Sequence, residues 1–111
     1  MIKCKEKDWK VLRAKLPEWQ ENYMDRMCKE YLGILTSNDS PSDRFWALEE
    51  RIRKDKKKCG VCADMRRSMF YDNIFMLLDE GAITLSDLDD FSDEVKEIVQ
   101  KYMQIVGADW S

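Results

Sequence analysis

Apolar residues along this chain recur at helical spacing, and no stretch alternates with period two for long enough to make a strand. The densest run is MFYDNIFMLL, residues 69–78, apolar except for Asp72 and Asn73. It predicts a helix from about Val61 to Glu80, with Phe70, Ile74, Leu77 and Leu78 buried and Met65, Met69 and Met76 broadening the stripe. Gly81 would supply its left-handed cap. A helix apolar around so much of its circumference is normally surrounded by others.

The flanking segments supply companions. Residues 6–15 predict a short first helix with Trp9 and Leu12 inward, closed by Leu16. Pro17 disfavours helical geometry at Leu16 and suits the first position of a new helix, so a break is expected there. The next helix runs to about Leu35 through Trp19, Tyr23, Met27, Tyr31 and Ile34, with Met24, Cys28 and Leu35 widening its face. Ser40 before Pro41 reads as a cap for a helix over 41–56, whose narrow stripe is Phe45, Leu48 and Ile52. Thr84 would start a short turn reaching residue 90. Ser92 would cap a last helix whose stripe is Val95, Ile98, Val99, Tyr102, Met103 and Val106, ended by Gly107. The expected fold class is all-α: one domain over 1–111, a compact orthogonal or bundle-like array of about five helices around a central apolar helix. Its core spans about 8–106, with a short tail over 107–111.

Composition narrows the function classes. The 111 residues are 44% hydrophobic and 37% charged, with four tryptophans, which supports a folded chain with a real core. No apolar run approaches the ~20 residues of a membrane span, and MIKCKEKDWK lacks the apolar centre of a signal peptide. A cytoplasmic location is the expectation. Histidine is absent, which removes the commonest general base, metal ligand and switch near neutrality. Net charge is −3 but unevenly spread: residues 1–67 carry +5 and residues 68–111 carry −8. The two halves can attract each other within the fold or present opposite faces to partners.

Three constellations remain as candidate chemistry. Cys59-Gly60-Val61-Cys62 is a C-x-x-C at an expected helix start, where the dipole and nearby lysines would activate a thiol. The same pair offers two zinc ligands, with Cys4 and Cys28 available to complete a four-thiolate site, and the plainest reading is inert thiols. No strand precedes the motif, so a thioredoxin-like unit is not expected. The basic stretch Arg51, Arg53, Lys54, Lys56, Lys57, Lys58, continued by Arg66 and Arg67, would suit a phosphate backbone, although the chain as a whole is acidic. The acidic segment from Asp87 to Glu94 lacks the central glycine and closing glutamate of a calcium loop, and helix capping accounts for Asp87, Asp93 and Glu94.

Trp46 lies beside Phe45 on an otherwise charged helix, and both cannot follow one narrow stripe. Trp46, Arg53, Lys57, Arg66 and Arg67 are therefore the expected partner-binding patch, with Trp110 in the tail a second aromatic for an interface. The expected function is a non-enzymatic protein-interaction or regulatory module, by self-association or with another protein, without cofactor. The alternatives are a nucleic-acid-associated regulator using residues 51–67, and a thiol or structural-zinc site at Cys59 and Cys62.

PSDRFWALEERIRKDKK, MRRSMFYDNIFMLL and GAITLSDLDDFSDEVKEIV, taken together, resemble small helical proteins of unknown function carried by bacterial prophages and related mobile elements. The resemblance covers about residues 8–106. It implies a bacterial accessory or regulatory protein and transfers no catalytic residue.

Overall fold

The computed structural model describes residues 3–111. Met1 and Ile2, part of the domain expected over 1–111, lie outside the described residues. The chain is all-helical, with no strand among the described residues, and has four α-helices: α1 (Glu6–Leu35), α2 (Pro41–Asp55), α3 (Phe70–Asp79) and α4 (Asp93–Val106). Two short 3₁₀ turns, Arg67–Met69 and Leu85–Leu88, precede α3 and α4.

The expected break at Pro17 does not occur, which is why four helices stand where about five were expected. Pro17 lies inside α1, which is 30 residues long. Its ring removes one hydrogen bond, at the Arg13 carbonyl, and Pro17 and Arg13 are both exposed, so water can serve that group. Meanwhile Leu12, Leu16, Trp19, Tyr23 and Met27 form one continuous buried face across the proline. A proline inside a helix costs roughly 3 kcal/mol, and burying several large side chains at ~1.5–3 kcal/mol each outweighs it.

The expected helix start at Val61 also fails. Residues 62–66 take no regular structure, and α3 begins at Phe70. Contacts remote in sequence claim this segment. The buried Asn73 donates from Nδ2 to the Asp64 carbonyl at 2.8 Å. The Glu80 carboxylate accepts the backbone N–H groups of Cys59 (3.0 Å) and Gly60 (3.1 Å). Gln20 Nε2 donates to the Cys59 carbonyl at 2.9 Å. Asn73, one of two polar exceptions in the apolar run, thus pins the connector, while Asp72 faces solvent.

Local capping signals are realised. Ser40 Oγ accepts the Asp43 N–H at 3.2 Å with Pro41 as the first helical residue. The Thr84 N–H donates to Asp87 Oδ2 at 2.8 Å. Gly81 and Gly107 follow α3 and α4 with φ of +75° and +70°, a conformation that costs glycine little. Ser92 starts α4 and is itself held by a remote group: its N–H and hydroxyl both donate to the buried Asp8 carboxylate, at 2.9 and 2.7 Å.

The core gathers Leu12, Leu16 and Trp19 of α1 against Phe70, Ile74, Leu77 and Leu78 of α3, Leu88, Phe91, and Val95 and Val99 of α4. Cys4 and Trp110 belong to it as well, so the core is wider than the expected 8–106. Trp110 is 6% exposed and stacks on Tyr102 and Phe75 of its own chain, while its carbonyl accepts the Leu85 N–H at 3.1 Å. Its ring is packed within its own chain. The second half of α1 continues past this body and pairs with α2 as a projecting hairpin. The radius of gyration is accordingly 16.4 Å, against about 13 Å for a compact chain of this size. No helix of the described residues is long and apolar enough to cross a membrane.

Candidate interaction surface

The hairpin is held together by polar chemistry on its inner side. Asp55, near the end of α2, is buried; its Oδ2 accepts the Tyr31 hydroxyl at 2.6 Å and Arg51 Nε at 3.0 Å. Its Oδ1 has the Lys58 ammonium at 3.3 Å. Arg51 also reaches Glu30 at 2.7 Å and the Met27 sulfur at 3.4 Å. Burial alone would raise the Asp55 carboxyl, but the Tyr31 hydroxyl, Lys58 and Arg51 together hold it below its ordinary value. Burial and the adjacent Asp55 push the Tyr31 phenol up to about 12. At the turn end, Arg44 donates to the Leu35 carbonyl at 3.0 Å, placing positive charge at the C-terminus of α1. Gly60 closes the other end against the ring of Tyr23.

The outer side of the hairpin carries exposed and half-buried apolar residues. Phe45 and Trp46 are 63% and 64% exposed and meet edge to face with ring centroids 5.0 Å apart. Leu48 and Ile52 continue the stripe, and Phe45, Leu48, Ile52 with Glu49, Arg53 and Lys56 line a groove of about 340 Å³. Leu35 (43% exposed) adjoins Phe45 and Leu48 in a neighbouring depression, and Leu32 (60% exposed) lies one turn earlier on α1. The 45–48–52 spacing is therefore a true helical stripe, with Leu48 and Ile52 half-buried and Phe45 exposed among the described residues. Phe45, expected on the narrow stripe with Leu48 and Ile52, is exposed and forms its end together with Trp46.

The five expected contact residues do not form one patch. Trp46 and Arg53 lie on α2, where Arg53 pairs with Glu49; Lys57 is exposed just beyond the helix end. Arg66 pairs with Asp64 at 2.6 Å in the connector, and Arg67 donates to the Cys4 carbonyl at 2.9 Å, before the first turn of α1. Trp46 sits near the opposite end of that helix, which is roughly 45 Å long. The wider basic stretch is likewise divided and paired, with Lys54 on Glu50 and Lys58 on Asp55. Leu32, Leu35 and Phe45 were missed as surface residues because periodicity marks which side of a helix is apolar, not whether anything covers it.

The C-x-x-C is not at a helix start. Cys59 is buried in the turn after α2, its thiol 3.6 Å from Asn73 Oδ1, and Cys62 is exposed. Burial, then the Glu80 and Cys62 charges, push the Cys59 thiol up to about 11, opposite to the direction an activated thiol requires. Cys28 is exposed on the second half of α1 rather than buried, and Cys4 is buried at the other end. The described residues contain no group of three or more Cys, Asp or Glu side chains placed to hold a metal ion. Comparison with protein-family models, curated proteins and solved structures finds no match to this chain.

Proposed function

We propose that this protein is a non-enzymatic interaction module that engages its partner through the outer face of the α1–α2 hairpin. The observation that carries this reading is the exposed Phe45–Trp46 pair at the end of a half-buried Leu48–Ile52 stripe that lines a surface groove. Exposed aromatics beside an apolar groove are what contact surfaces concentrate, and a large contiguous apolar patch is uncommon on a surface facing only water. Trp46 and Arg53 stay in the proposed surface, Phe45, Leu48 and Ile52 join it, and Lys57, Arg66 and Arg67 leave it. An accessory role, as the resemblance to prophage-borne helical proteins implies, belongs to the same proposal.

The test is capture from native lysate on immobilised wild type and on a Phe45→Asp/Trp46→Ala variant whose helical circular dichroism matches wild type. A partner, or a second tagged copy of the chain, retained by wild type and lost from the variant supports the reading. Equal retention by both moves the contact elsewhere.

A further inference from the structure

The occupant of the hairpin face follows from its shape and its charges. Two antiparallel helices with apolar stripes on one side are half of a four-helix bundle. On α2 the stripe is Phe45, Leu48 and Ile52; on α1 it is Cys28, Leu32 and Leu35, of which Cys28, Leu32 and Leu35 are all exposed. At their observed exposures Phe45 and Trp46 offer roughly 250 Å² together. Leu32, Leu35, Leu48 and Ile52 bring the face to on the order of 500 Å² per copy, and its charged rim adds more, which places a two-copy contact in the range of specific interfaces.

Resting on the reading that this face is a contact surface, we infer that a second copy of this chain covers it, the two hairpins packing head to tail about a twofold axis. A twofold contact must be self-complementary, and the outer wall of the groove is. Along α2 that wall runs Glu49, Arg53, Lys56, negative then positive. Placing Leu48 of one copy against Ile52 of the other, antiparallel, sets each Glu49 within one turn of the other copy's Arg53. The same axis crosses α1 where Arg51 meets Glu30 and Met27. Cys28 lies there on the outer face, so the two Cys28 thiols approach across helices packed 8–10 Å apart.

Sedimentation across 1–200 μM reads the assembly, and a short bis-maleimide reads its geometry. Wild type is expected to move from one to two chain masses over this range, and Phe45→Asp to stay monomeric with unchanged circular dichroism. Ile105→Asp, at an exposed position on α4, is expected to dimerise as wild type does. Cross-linked dimer is expected from wild type and to be lost in Cys28→Ser but not in Cys62→Ser. Wild type monomeric at 200 μM, a Phe45→Asp variant that still dimerises, or cross-linking that survives Cys28→Ser would each overturn the inference. A monomeric wild type that still captures another protein lost from Phe45→Asp/Trp46→Ala would overturn the second-copy occupant while leaving the interaction reading standing.

Discussion

Gly60→Ala isolates the contact that fixes the hairpin to the body. An added Cβ at Gly60 would lie 2.5 Å from Tyr23 Cδ2, 2.7 Å from Cγ and 2.9 Å from Cε2, where carbon atoms sit comfortably at about 3.5–4.0 Å. One side must therefore move by about 1 Å. Neither side is free to do so. The Tyr23 ring is 2% exposed, and the backbone of residues 59–60 is tied by two N–H bonds to Glu80 and by Gln20. The backbone angle at Gly60 is not in the left-handed region, so alanine suffers no conformational penalty there. Forcing a methyl group into a packed contact costs about 1–3 kcal/mol, against ~0.4–1 kcal/mol gained by restricting the unfolded chain. The net loss expected is about 1–1.5 kcal/mol, or roughly 5–10 °C in Tm for a domain of this size. Urea unfolding followed by far-ultraviolet circular dichroism measures it. A Tyr23→Leu/Gly60→Ala double variant should lose less than the sum of the single changes, because removing the ring opens the space the methyl needs. A Gly60→Ala protein within 0.5 kcal/mol of wild type, or strict additivity in the double variant, would refute the reasoning.

Gly33→Ala should act oppositely: Gly33 is helical and nothing lies within 4 Å of an added Cβ, so a gain of about 0.5–1 kcal/mol is expected in the same urea titration. Asp55→Ala removes a buried acceptor of one hydroxyl and one guanidinium bond and should cost about 2–3 kcal/mol at pH 7. Because the folded-state carboxyl is held below its ordinary 3.8, this contribution is present above that value. The gap between wild type and variant should narrow as pH drops past 3.8 and level off below the folded value, as acid titration of stability would show. Thiol labelling at pH 8, at dilutions that keep the chain monomeric, should modify Cys28 and Cys62 rapidly, with Cys4 and the raised-pKa Cys59 following only as the chain unfolds.

Features governed by neighbouring residues were legible in the sequence. Ser40-Pro41, Thr84, Ser92, Gly81 and Gly107 each act within a turn of their own position, and each marks a boundary where the chemistry of its side chain or backbone requires one. Misreadings arose where distant groups decide. Pro17 is a local stop signal overruled by the apolar face running from Leu12 to Met27. Met65 and Met69 fit a helical period, yet Asn73, Glu80 and Tyr23 draw residues 59–66 away from it. Trp110 resembled a stray tail residue because its partners, Phe75 and Tyr102, are 35 and 8 positions away. The proposed contact surface was half visible: Trp46 stood out against its charged helix, whereas Phe45 belonged to an apolar stripe whose end is exposed among the described residues.

The bond from Asp8 to Ser92 spans 84 positions and bears on how the molecule is born. Synthesis proceeds at roughly 5–20 residues per second, so α1 and α2 leave the ribosome seconds before the segment that seats α4. The hairpin's inner contacts, Arg51 to Glu30 and Tyr31 to Asp55, span only 21 and 24 positions. The body must wait, its greasy side bare, until Phe91, Val95 and Val99 arrive and Asp8 in the first turn of α1 fastens the start of the last helix.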